Sequence, residues 1–223
     1  MIKFIKINIL ITSMIMGGIS AAYALSPIPD YKKPLKNPKI LMLGDSLTQG
    51  YGLPQDEGLV PQLQNWLIEN ESDILLVNAG VSGDTSAGGL SRIEWSLSDD
   101  ITGVVVNLGG NDMLRGLDPL NTKENIENIA KIIKEKKLDL VIIGLEAPMN
   151  YGAEYKNMFD SIYPTVAKKY EALYVDNFFK PLLELTDYQY IPLEYMQPDG
   201  IHPNKEGVSL IVQYIGNTIK LLD

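Results

Sequence analysis

The chain has 223 residues, 45% hydrophobic and 21% charged, the balance of one soluble domain of ordinary size. Its formal charge of −9 repels phosphate backbones and argues against a nucleic-acid partner. The absence of cysteine removes disulfides, thiolate catalysis and thiolate metal sites, and with one histidine a zinc centre lacks ligands.

In chain order, Lys3 and Lys6 give a basic start, an apolar run extends from Ile7 to Ile19, and Ala22-Tyr23-Ala24 offers a small-x-small cleavage site. Residues 1–24 therefore read as a signal peptide, and export to a bacterial periplasm or beyond is expected. The run is shorter than the roughly 18 apolar residues of a spanning helix, so no stable membrane span is expected after processing. Residues 25–38 carry four prolines without periodicity and read as an extended lead-in.

From Lys39 onward, short apolar runs alternate with longer amphipathic ones. The runs at 39–43, 74–77, 103–108, 138–143 and 172–175 predict strands. The stretches at 59–70, 85–97, 122–136, 153–169 and 205–222 predict helices, with Asn121 or Thr122 as the N-cap of the third. Such alternation implies one α/β domain over 39–223, a parallel sheet with helices on both faces. Trp66 and Trp95 fall on predicted helices, where core packing explains them.

Sites on such sheets form beyond the C-terminal strand ends. The first predicted strand runs into Gly44-Asp45-Ser46-Leu47-Thr48, the second into a loop containing Gly83, and the third into Gly109-Gly110-Asn111-Asp112. Ser46, Gly83 and Asn111 thus converge on one sheet edge. Thr48 breaks the Gly-x-Ser-x-Gly elbow of the α/β-hydrolases, which disfavours that fold. His202, the sole histidine, lies in Pro198-Asp199-Gly200-Ile201-His202-Pro203-Asn204, ahead of the last helix. Asp199, three residues upstream, can hold one ring nitrogen while the other faces a serine, the nucleophile, base and orienter logic of serine hydrolases. The backbone N–H groups of Ser46 and Gly83 and the Asn111 carboxamide can meet a developing oxyanion. After the fourth strand, Pro148, Met149 and Tyr151 precede a helix and are predicted to wall an acyl groove, whereas Met158, Phe159 and Ile162 are assigned to the core.

These blocks, in this order, resemble those of the SGNH (GDSL) hydrolases, most closely the bacterial periplasmic thioesterase, arylesterase and lysophospholipase branch. The resemblance implies a three-layer α/β/α sandwich, flavodoxin-like, with about five parallel strands. It implies Ser46 as nucleophile, His202 as base and Asp199 as its orienter, with Ser46, Gly83 and Asn111 forming the oxyanion hole. Asp45 and Asp112 would brace loops. No metal or organic cofactor is implied, and the expected substrate is a small-molecule or lipid-like acyl ester turned over by a monomer. Two alternatives stand beside this: a carbohydrate deacetylase of the same family, and a non-catalytic periplasmic ligand-binding protein.

Overall fold

A computed structural model describes residues 37–185 and 191–223. The predicted signal peptide, 1–24, and residues 25–36 of the lead-in lie outside the described residues. Five strands form one sheet: β1 (Lys39–Gly44), β2 (Leu75–Gly80), β3 (Gly103–Asn107), β4 (Asp139–Ile143) and β5 (Leu173–Val175). Their spatial order is β2-β1-β3-β4-β5 and every pairing is parallel. This is the flavodoxin-like order, and the direction of winding reverses between β1 and β3.

The helices are α1 (Ser46–Gln49), α2 (Leu59–Glu69), α3 (Ser86–Ser96), α4 (Gly110–Leu114), α5 (Pro119–Glu135), α6 (Ala153–Asp160), α7 (Ile162–Lys169), α8 (Lys180–Leu183) and α9 (Lys205–Ile219). On one face α2 packs against α9, which also meets α8, and on the other α5 packs against α3 and α7. The architecture is a three-layer α/β/α sandwich. Ile40 to Leu43 of β1, Val104 to Val106 of β3 and Leu140 to Ile143 of β4 are all buried, as central strands covered on both faces require. The edge strand β2 is more exposed, and the Gln64 side chain covers part of its open rim. Its Oε1 accepts from the Leu76 N–H at 2.8 Å and its Nε2 donates to the Ile74 carbonyl at 2.9 Å. This gives the strand a stand-in for a neighbouring peptide.

Three sequence expectations are corrected. The helix predicted from 122 starts at Pro119, with Asp118 as N-cap accepting from the Leu120 N–H at 2.9 Å. Asp-Pro is the favoured opening, since proline at the first helical position sacrifices no intrahelical bond. The helix predicted over 153–169 is two helices divided at Ser161. Pro164 lacks an N–H and its ring would strike the carbonyl of Asp160 in a continuous helix. Trp95 is 78% exposed rather than part of the core. Trp66 does pack inward, against Gly216 of α9. Phe159 and Ile162 are buried as expected, and Met158 is half-buried.

Candidate active site

The parallel register sets Gly44 beside Gly80 and Asn107, so the loops after β1, β2 and β3 leave the sheet together. The turn into α1 is tight. A Cβ on Gly44 would fall onto the Thr48 hydroxyl and the Asn107 carbonyl, so glycine lets the helix sit directly on the strand end. Asp45 caps α1 by accepting from the Leu47 N–H at 3.0 Å. Ser46 is the first helical residue and is nearly buried, 9% exposed.

The loop before α9 approaches from the far end of the chain. His202 Nε2 lies 2.8 Å from Ser46 Oγ, and His202 Nδ1 lies 2.7 Å from Asp199 Oδ2. An ionised carboxylate only accepts, so Nδ1 carries the proton and Nε2 is left to accept from the Ser46 hydroxyl. Asp199 Oδ1 also accepts from the backbone N–H groups of Ile201 and His202, at 2.9 and 3.1 Å. Burial opposes the charge on Asp199. The hydrogen bonds from the His202 ring and these two N–H groups outweigh it and hold the carboxyl at about 2. The carboxylate beside the His202 ring therefore stays ionised at neutral pH.

Asn111 sits in the first turn of α4, its Nδ2 at a long 3.4 Å from Asp45 Oδ2. Gly83 adopts φ +83°, a left-handed conformation natural to glycine. Its carbonyl accepts from Arg115 Nη2 at 2.8 Å, which fastens the Gly83 turn to the residue that ends Asn111's helix. Among the described residues, neither the Ser46 nor the Gly83 backbone N–H has a hydrogen-bond partner. Asp45 and Asp112 both brace loops. Asp112 accepts from the N–H and hydroxyl of Ser86 and from the Thr122 hydroxyl, joining the starts of α3, α4 and α5. Burial pushes Asp45 up to about 6, against the pull of the Leu47 N–H, the Asn111 carboxamide and the His202 ring.

A cavity of about 330 Å³ opens over Ser46, Asn111 and His202. Its walls include Leu47, Met113, Leu114, Leu145, Phe179, Ile191, Met196 and Ile201. Of the three predicted wall residues, only Pro148 lines it. The Pro148 loop is pinned from behind, because Asp160 accepts from the Ala147 N–H at 2.8 Å and Lys156 donates to the Ala147 carbonyl at 2.9 Å. Met149 and Tyr151 belong to a 3₁₀ turn, Met149–Tyr151, that carries them away from the cavity. Met149 is 62% exposed, and Tyr151 lies over the end of α4, its hydroxyl donating to the Leu114 carbonyl. Short sequence distance from β4 misled here, since the walls come from segments far apart in the chain. Also missed were Arg92, Tyr51 and Gln197. Arg92 had a signal, because it falls on the same helical stripe as Ser86, Gly89 and Ile93.

A serine, a histidine and an aspartate hydrogen-bonded in series at a sheet switch point form the arrangement that serine hydrolases use. The chain belongs to the GDSL-like lipase/acylhydrolase family, whose model matches residues 42–210. It is 31% identical to an arylesterase of Vibrio mimicus over 81% of this chain and 88% of that one. It is 33% identical to the thioesterase 1/protease 1/lysophospholipase L1 of Escherichia coli (strain K12) over 82% of this chain and 84% of that one. Among solved structures, the esterase EstA from Pseudoalteromonas sp., inhibited by monoethylphosphonate, superposes with TM-score 0.75 and 33% identity over 83% of this chain and 98% of that one.

Proposed function

We propose that this chain is a serine esterase that hydrolyses carboxylic esters or thioesters through an acyl-Ser46 intermediate. The observation that carries the reading is the 2.8 Å contact between Ser46 Oγ and His202 Nε2, with Asp199 at 2.7 Å on the opposite ring nitrogen. His202 Nε2 takes the Ser46 proton as Oγ bonds to the acyl carbon. Asp199 keeps the ring in the right tautomer and stabilises the imidazolium that forms. The Ser46 and Gly83 N–H groups and the Asn111 carboxamide donate to the oxyanion. Collapse expels the alkoxide or thiolate, which leaves with the proton from His202. Water, deprotonated by the same nitrogen, then releases the acid and regenerates Ser46.

The cavity supports acyl chains as the substrate class. Aliphatic and Met side chains form most of its walls, a surface that takes an alkyl chain and adapts to its length. The named activities of the arylesterase and of thioesterase 1/lysophospholipase L1 agree with this range. The deacetylase reading has less support, since no tryptophan lines the cavity. Export rests on the residue pattern at 1–24, and no described helix is long and apolar enough to cross a membrane.

Ser46→Ala and His202→Ala tested on p-nitrophenyl butyrate check the reading. Both are expected to fold and to lose nearly all turnover. Substantial hydrolysis by folded Ser46→Ala would overturn it.

A further inference from the structure

The contact between Ser46 and His202 joins residues 156 positions apart, one opening α1 and the other on the loop before α9. Gln197 stands between those segments. Its Nε2 donates to the Tyr51 carbonyl at 2.8 Å and to the Pro203 carbonyl at 3.0 Å. Both hydrogens of the carboxamide are thereby used. Its backbone N–H donates to the His202 carbonyl at 2.8 Å, and its own carbonyl accepts from Gly200 at 3.0 Å. On the other side, the Tyr51 N–H donates to the Ser46 carbonyl at 3.1 Å. An unbroken run of hydrogen bonds therefore links the backbone of Ser46, through Tyr51 and Gln197, to the backbone of His202.

Two packing features reinforce the run. The Tyr51 ring lies against the His202 ring, centroids 4.9 Å apart and planes tilted by 41°. A Cβ on Gly52 would fall onto Gln197 Oε1, so the chain beside Tyr51 is cut to admit this side chain. A short antiparallel bridge between Met196 and Pro203 closes the loop behind it.

We propose that Gln197 is a positioning residue, a two-hydrogen bracket that sets the distance and ring angle between Ser46 and His202. The proposal rests on the reading of those two residues as nucleophile and base. The chemistry requires a carboxamide of this length. Methionine matches the length and donates nothing. Glutamate matches the shape, but its charged oxygens would face two carbonyls.

The test uses Gln197→Met and Gln197→Glu in the full chain. A misplacement on the order of 1 Å costs about 10²-fold, so kcat on p-nitrophenyl butyrate is expected to fall by roughly 10- to 100-fold. KM should change much less than kcat, because Gln197 itself does not line the acyl cavity. His202 is the only histidine, so ¹⁵N-histidine labelling reports on this ring alone. Both variants should shift its signals from the single Nδ1–H tautomer toward a mixture of the two neutral forms. Wild-type kcat, or a lowered kcat with wild-type histidine signals, would overturn the proposal. Failure of both variants to fold by circular dichroism would also overturn it, making Gln197 a determinant of the fold. Ser46→Ala run alongside separates the two ideas. Turnover that survives in it removes the esterase reading, while the histidine spectra still judge whether Gln197 holds the ring.

Discussion

Arg92 binds Asp84 through an Nε to Oδ2 contact of 2.6 Å, with both side chains largely buried. The same guanidinium donates from Nη2 to the Gly44 carbonyl at 2.9 Å. One cation thus ties the residue after Gly83 to the strand end that delivers Ser46. A pair buried in this way is costly to break from one side, because the remaining charge loses its partner.

Arg92→Met should therefore destabilise the protein by about 3 kcal/mol, read from urea unfolding. Replacing Asp84 by Asn in the same background should recover part of that loss, since it removes the stranded carboxylate. A single variant as stable as the wild type would mean that the pair is neutral in the fold.

Asn111→Ala should leave the fold intact and lower kcat by about 10²–10³-fold, the usual loss for one oxyanion donor. An unchanged kcat would reduce Asn111 to a partner of Asp45.

Acyl selectivity should follow the walls of the cavity. Leu114 lines it and Met149 does not. Leu114→Asp is expected to depress kcat/KM for octanoate esters far more than for acetate, because each methylene buried there contributes up to about 0.8 kcal/mol. Met149→Asp should change both substrates little. Equal losses on octanoate and acetate in Leu114→Asp would remove the acyl chain from this cavity.

Asp45 gives a pH dependence of known sign. Its carboxyl is raised from 3.8 to about 6 by burial, so the folded state binds the proton more tightly than the unfolded state. The stability this contributes is fully present below 3.8 and is lost as pH rises through 6. This difference in proton affinity corresponds to about 3 kcal/mol. Asp45→Asn keeps an acceptor for the Leu47 N–H and cannot titrate. The stability of the wild type relative to this variant should therefore fall between about pH 4 and about pH 7. Parallel curves across that range would show that Asp45 does not titrate in the fold.

The strands were legible because three of them are near-continuous apolar runs, which only a sheet covered on both faces accommodates. Ser46 and Asn111 were legible because they follow such runs with chemistry at strand ends, and His202 because it is the sole histidine, three residues after Asp199. Side-chain direction was not. Nothing in the spacing of Pro148, Met149 and Tyr151 distinguishes the residue that faces the cavity from the two that turn away. Phe179, Ile191 and Met196 reach the cavity only through tertiary packing. Gln197 likewise carries no local signal, as its partners are carbonyls on a loop 146 positions away and on its own turn.

The most direct measurement is covalent labelling with a fluorophosphonate, followed by peptide mass spectrometry. A serine activated by a neutral imidazole reacts with such a probe, whereas an ordinary helix-capping serine does not. Stoichiometric modification on the peptide carrying Ser46, absent from Ser46→Ala and slowed in His202→Ala, is the predicted result. No labelling of folded protein, or labelling at another serine with Ser46 untouched, would contradict the assignment of Ser46 as nucleophile.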